Sequence, residues 1–109
     1  MRIALGQINP TVGDIAGNIE LCTRFARDAA ARNAELIVFP ELCLTGYPPR
    51  DLVDKQSFVE ESEAAVEVLA EGTKDLGIGV IAGYVGRSNA NIGKSVLNCA
   101  AIVLSLIHI

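Results

Sequence analysis

The segment from Glu35 to Phe39 constrains the fold of this chain more than any other. After Glu35 comes a short, unbroken apolar run that is rich in β-branched and aromatic side chains, and Pro40 ends it. Such a run is typical of a strand that is covered on both faces, because a solvated face would carry polar residues at alternate positions. Proline ends the strand because it cannot donate to a sheet ladder. We therefore predict a buried strand over 35–39.

Strand and helix periodicities alternate on both sides of this strand. The periodicities predict further strands over 2–9, 77–85 and 98–104, and amphipathic helices over 15–33 and 57–74. Asp14 or Asn18 can cap the first helix. The order β-α-β-α-β-β predicts a layered α/β fold. The last two strands, joined by a turn over 86–91, look antiparallel, so the sheet should be mixed.

The charge pattern excludes several kinds of partner. The 109 residues carry a net charge of −4, and the nine basic residues are scattered rather than arranged in a stripe, which argues against nucleic-acid binding. No apolar run reaches the roughly 20 residues that cross a bilayer. The first residues also lack the features of a secretory signal. We expect a cytoplasmic protein with no nucleic-acid partner and no membrane partner.

The three cysteines do not have the spacing of a ligand cluster. Cys22, Cys43 and Cys99 lie far apart without a C-x-x-C pair, so the sequence predicts neither a disulfide framework nor a metal site. Cys22 and Cys99 fall on apolar faces, where thiols usually pack inertly. Cys43 could pair with Glu41 as a nucleophile only in a tight turn, and otherwise it is a small apolar filler.

Glu41 is the candidate catalytic residue, since it follows the buried strand directly. In open α/β sheets the carboxyl ends of the strands are where ligands bind. A carboxylate there can be desolvated and act as a general base. It can equally be a solvated glutamate at a strand end, and sequence spacing does not decide between the two. The glycines Gly77, Gly79 and Gly83 do not match a nucleotide-binding fingerprint and are expected to permit close packing of a strand.

Two motifs carry a family resemblance. The stretch F-P-E-L-C-L-T-G-Y over 39–47 resembles the carbon–nitrogen hydrolase (nitrilase) superfamily. The opening N-P-T-V-G-D-I-A-G-N over 9–18 and the continuation Y-P-P-R-D-L over 47–52 narrow the resemblance to the N-terminal glutaminase domain of the glutamine-dependent NAD synthetases. The similarity runs from Met1 to about Leu104.

The resemblance implies an α-β-β-α sandwich, of which this chain holds the first half. It also implies a catalytic set of Glu, Lys and Cys that hydrolyses the side-chain amide of glutamine. Only Glu41 can be carried over, as the general base, because the matching Lys and Cys would lie beyond Leu104. The chain alone is therefore expected to be inactive and to expose an apolar sheet face.

The resemblance also implies partners for the whole protein. Ammonia would pass to a synthetase domain that uses ATP, Mg²⁺ and deamido-NAD, and the parent protein would be a homo-oligomer. No cofactor is expected within this chain. Two alternatives remain, namely a piece of a stand-alone amidase or carbamoylase of the same superfamily, and a non-catalytic small α/β binding module.

The last residues of the chain are unusual. Residues 104–109 continue in apolar residues where an α/β fold needs a turn and a helix. One permitted reverse translation, CTG TCT CTT ATA CAC ATC, reads as the end of a transposase adapter used in sequencing libraries. We expect residues 1–104 to be the N-terminal portion of a carbon–nitrogen hydrolase domain and residues 105–109 to be a non-native tail, the alternative being a genuine apolar strand.

Overall fold

The computed structural model describes residues 1–49, 52, 55–87 and 96–104. These residues form strands and helices in the predicted order, β-α-β-α-β-β. The elements are β1 (Ile3–Leu5), α1 (Ile15–Ala31), β2 (Leu36–Val38), α2 (Gln56–Thr73), β3 (Gly79–Arg87) and β4 (Val96–Val103). The predicted tail over 105–109 and the part of the predicted turn beyond Arg87 lie outside the described residues. The predicted α/β fold class is confirmed.

The strands form one mixed sheet in the order β1-β2-β3-β4. β1, β2 and β3 are parallel neighbours, and β4 pairs with β3 in the antiparallel sense, as predicted. β1 is shorter than its predicted range, because after Gly6 the backbone turns on itself, with hydrogen bonds from Gln7 to Leu5 and from Ile8 to Gly6. β3 extends two residues beyond its predicted end, to Arg87.

One face of the sheet packs against the helices. Ala4, Ile37, Val80 and Val103 stand directly opposite one another across the four described strands. Ile37 and Val80 belong to the buried core, and Ala4 and Val103 pack against it. The helices contribute the other side of this core, with Cys22 and Ala26 from α1 and Ala65 and Leu69 from α2. The helical layer therefore covers this row along its whole width.

Among the described residues, no helix or strand covers the opposite face of the sheet. The row Leu5, Val38, Ile81 and Ile102 crosses the same four strands one residue further along. Leu5 is 73% exposed and Ile102 is 68% exposed, while Val38 and Ile81 are half-buried. We call this row, together with the exposed Ile3, the open face. The prediction that β2 is covered on both faces is wrong for this chain, because both described helices pack on the same side of the sheet.

Both helices begin close to their predicted positions. Asp14 caps α1 as predicted, since its carboxylate accepts a hydrogen bond from the Gly17 amide at 3.1 Å. On α2 most glutamates lie on the solvated side, away from the core. The exposed ones are Glu60, Glu61, Glu67 and Glu71, whereas Glu63 is half-buried and accepts a hydrogen bond from the Arg87 amide at 3.0 Å. Neither described helix combines the length and apolar character that a transmembrane segment requires.

Candidate active site at the carboxyl end of the second strand

The backbone after β2 forms a tight turn that places Glu41 at its start. The Phe39 amide still donates to Ile81 of β3 at 3.0 Å, which ties the end of β2 to the sheet. Gly46 then donates back to the carbonyl of Leu42 at 2.8 Å, and both residues have a positive φ. Residues 42–46 are buried. We call residues 40–46 the Glu41 turn. Because most of this turn is buried, the backbone that carries Glu41 is held in place.

Close contact with β3 fixes the height of this turn over the sheet. A Cβ atom at Gly83 would collide with the backbone nitrogen of Leu42 and would lie 3.1 Å from its Cα. The Leu44 amide donates to the carbonyl of Gly83 at 3.1 Å. The predicted role of Gly83 in close packing is therefore confirmed, and the element that it packs against is the Glu41 turn.

The buried Asn18 anchors the turn to α1. Its side-chain amide donates to the carbonyl of Leu44 at 3.1 Å and to the carbonyl of Thr11 at 2.8 Å, and its oxygen accepts from the Thr11 amide at 2.9 Å. The Gly13 amide donates to Thr45 at 2.9 Å. Asn18 therefore satisfies backbone groups of two loops rather than capping the helix. The Glu41 turn is thus held from both its helix side and its sheet side.

Glu41 lies on the rim of a cleft of about 300 Å³. The Asn98 side chain of β4 donates a hydrogen bond from Nδ2 to Oε2 of Glu41 at 2.8 Å. The cleft is otherwise lined by Phe39, Pro40, Ile81, Gly83, Cys99 and Ala100. Glu41 is exposed, and the cleft shares Ile81 with the open face. The desolvation that a tuned general base requires is therefore not provided by the described part of this chain.

The structure separates Cys43 from this cleft. The Cys43 thiol has no solvent exposure and contacts the Cys22 sulfur at 3.9 Å and the Gly83 carbonyl at 3.8 Å. Hydrogen bonding to Cys43, together with burial, raises the pKa of the Cys22 thiol far above its usual value. Neither Cys22 nor Cys43 forms a disulfide. The interpretation of Cys43 as a small buried filler is confirmed, whereas Cys99 is half-buried rather than buried.

Sequence reasoning missed two features of this region. It did not identify Asn98, although a single strongly polar residue inside the apolar strand over 96–103 is a signal that could have found it. It also did not bring Cys22 and Cys43 together, since their separation along the chain carries no pairing signal. Among the described residues, no group of three His, Cys, Asp or Glu side chains could hold a metal ion.

This chain is similar to known proteins in sequence and in structure. The family model described as carbon-nitrogen hydrolase matches residues 2–106. The glutamine-dependent NAD(+) synthetase of Thermotoga maritima is 38% identical over 103 residues, which cover 94% of this chain and 17% of that protein. The chain therefore spans about a sixth of the length of this relative.

Two solved structures have the same fold over this region. A glutamine-dependent NAD(+) synthetase from Cytophaga hutchinsonii superposes with a TM-score of 0.77 at 28% identity, over 96% of this chain and 17% of that one. A variant of the amidase from Nesterenkonia sp. AN1, in which acrylamide is added at the active-site cysteine, superposes with a TM-score of 0.73 at 27% identity. The match to the amidase covers 93% of this chain and 39% of the amidase.

Proposed function

The chain belongs to the carbon–nitrogen hydrolase family, and from that membership we propose that it is the first part of the glutamine-hydrolysing domain of a glutamine-dependent NAD synthetase. The observation that carries the proposal is the position of Glu41 at the carboxyl end of β2, on a turn that is anchored from two sides and opens into a cleft. The Thermotoga and Cytophaga proteins, which bear that name, support the choice of this branch.

In this proposal Glu41 is the proton carrier of an amide hydrolysis. A cysteine thiol from the remainder of the domain gives its proton to the Glu41 carboxylate and attacks the side-chain carbonyl of glutamine. The proton then passes to the departing nitrogen, the C–N bond breaks and ammonia leaves. A water molecule, deprotonated by the same carboxylate, hydrolyses the thioester and regenerates the thiol. A lysine from the remainder of the domain stabilises the oxyanion.

The anchoring of the Glu41 turn suits this role. General acid–base catalysis requires a carboxylate that stays within hydrogen-bond reach of several successive partners, so its backbone has to be held still. Asn18, which does not line the cleft, and the close approach of the turn to Gly83, which does, provide that support. The open face would be covered by the second layer of the sandwich, and this covering would remove water from the carboxylate.

The remaining functions belong to parts of the protein beyond this chain. We propose that the ammonia is used by a synthetase domain that binds ATP, Mg²⁺ and deamido-NAD, in a cytoplasmic homo-oligomer. Without the thiol and the lysine, the chain alone should not hydrolyse glutamine.

The test uses the full-length protein that contains this segment. Glu41→Gln removes the proton acceptor but keeps the shape, so we expect glutamine-dependent NAD synthesis to fall by at least about 100-fold. Synthesis from added ammonium salt should stay within about twofold of the wild-type rate, since general acid–base catalysis at this site is bypassed. Glu35→Gln, an exposed glutamate at the opposite end of β2, is the matched control and should leave both rates unchanged.

Two results would contradict the proposal. If Glu41→Gln retains its glutamine-dependent rate, the carboxylate is not the general base. If both rates vanish while the protein remains folded, Glu41 acts elsewhere than in amide hydrolysis.

The similarity to the Nesterenkonia amidase favours a second candidate, a stand-alone amidase of the same family. The motif over 47–52 argues for the synthetase branch. The two are separated by assaying the full-length protein on butyramide and on glutamine. An amidase would release ammonia from the aliphatic amide without ATP or deamido-NAD, whereas the synthetase would couple glutamine hydrolysis to NAD formation.

A further inference from the structure

We propose that Asn98 is a positioning residue for Glu41, whose side-chain amide holds the carboxylate in its catalytic orientation. The inference rests on the proposed function, because it assigns a partner to the same general base. Asn98 and Glu41 lie 57 residues apart in the chain and are brought together only by the pairing of β4 with β3, in which Asn98 stands opposite Val85.

In the contact between Asn98 and Glu41, the asparagine has to be the hydrogen-bond donor. An ionised carboxylate can only accept hydrogen bonds, so the NH₂ group of Asn98 must face it. The resulting bond from Nδ2 to Oε2 is 2.8 Å long, which is a good length for a donor on a charged oxygen. Among the described residues this bond occupies only Oε2 of Glu41, so Oε1 is available to exchange protons with the reacting groups.

Glu41 needs such a partner because its own surroundings do not orient it. Its backbone is fixed by the turn, but its side chain is exposed and has several rotatable bonds. A single hydrogen bond from a rigid strand selects one of the resulting rotamers.

A purely structural role does not explain an asparagine at this position. Asparagine is depleted in strands, and the neighbours of Asn98 along β4 are apolar or small. The side chain is itself exposed, so it fills no part of the core. Its hydrogen bond to Glu41 is the contact that accounts for its presence, and removing the side chain should therefore cost the fold little.

The test compares Asn98→Ala and Asn98→Asp in the full-length protein, each also combined with Glu41→Gln. We expect Asn98→Ala to lower kcat for glutamine hydrolysis by about 10- to 100-fold with a KM change of less than about threefold, because misplacing a catalytic group acts on the chemical step. Asn98→Asp keeps the shape but replaces the donor with a second carboxylate, so it should be at least as damaging. Neither substitution should lower the rate further once Glu41 is glutamine.

The ammonium-dependent rate of each variant serves as the folding control and should stay unchanged. The proposal is overturned if Asn98→Asp is clearly more active than Asn98→Ala, since shape rather than hydrogen-bond donation would then be what matters. It is also overturned if the Asn98 substitutions lower the rate by the same factor with and without Glu41. Failure of the proposed function looks different, because in that case Glu41→Gln alone would retain the glutamine-dependent rate.

Discussion

The open face predicts that the 109-residue chain self-associates when it is produced alone. Leu5, Ile102 and Ile3 are 73%, 68% and 52% exposed, and they stand on a single side of the sheet. Flat apolar surfaces of this kind drive association because burying them removes apolar area from water. Among the described residues, β1 and β4 are the edge strands of the sheet. Their unpaired backbone groups offer further sites for pairing with another chain.

The effect of one substitution can be worked out from these exposures. Complete burial of an isoleucine side chain contributes about 2 kcal/mol. With 68% of Ile102 available for burial, its contribution is about 1.4 kcal/mol per face, and a symmetric dimer contains two such faces. Ile102→Lys should therefore weaken dimerisation by about 3 kcal/mol, which is roughly 100-fold in the dissociation constant.

Analytical ultracentrifugation over a concentration series measures this constant directly. Val68→Lys is the matched control, since Val68 is 55% exposed but lies on α2, on the other side of the sheet. Val68→Lys should leave association unchanged. The reasoning is refuted if the two lysine variants weaken association equally, or if the unaltered chain is a monomer with a sharp cooperative melt at every concentration.

Three further predictions concern the support of the site and its thiols. Gly83→Ala should lower the melting temperature of the full-length protein, at a cost of about 1–3 kcal/mol, and reduce glutamine-dependent activity, because the new methyl group pushes on the backbone of the Glu41 turn. Gly72→Ala on α2 meets only ordinary contacts and should be neutral or stabilising, so equal losses in the two variants would refute this assignment. Asn18→Ala should cost about 3 kcal/mol by leaving buried backbone groups unpaired, and a melting temperature close to wild type would contradict it. In the folded chain iodoacetamide should label Cys99 and spare Cys22 until urea unfolds the protein, because a hydrogen bond to Cys43 and burial raise the pKa of the Cys22 thiol. Mass spectrometry of the labelled peptides measures this. Labelling of Cys22 before unfolding would contradict the prediction.

Much of the fold could be predicted from local patterns. The periodicity of the apolar residues predicted each element between Ile3 and Val103, because a strand alternates with a period of two and a helix with a period of 3.6. The cap at Asp14 was also predictable, since its side chain bonds an amide only three residues away. Glu41 could be placed at the end of a strand for the same reason, as its position depends on Pro40 and the run before it.

The contacts between distant segments could not be predicted in this way. The register of β3 against β4 decides that Asn98 rather than Leu97 reaches the carboxylate, and a shift of one residue would turn the other face toward it. The meeting of Cys22 with Cys43 depends on how deeply the Glu41 turn settles against α1. Both follow from packing between elements, which leaves no periodic trace in the sequence.

Glu41 illustrates the difference between what local sequence patterns determine and what packing between elements decides. The amino-acid sequence by itself determined that a carboxylate directly follows an apolar strand that Pro40 ends, because this arrangement depends on neighbouring residues. Only the tertiary structure decided that this carboxylate faces an open cleft, accepts a hydrogen bond from Asn98 and lies on the uncovered side of the sheet. Burial and hydrogen-bond partners are properties of the assembled layers, and both helices among the described residues pack on the same face of the sheet.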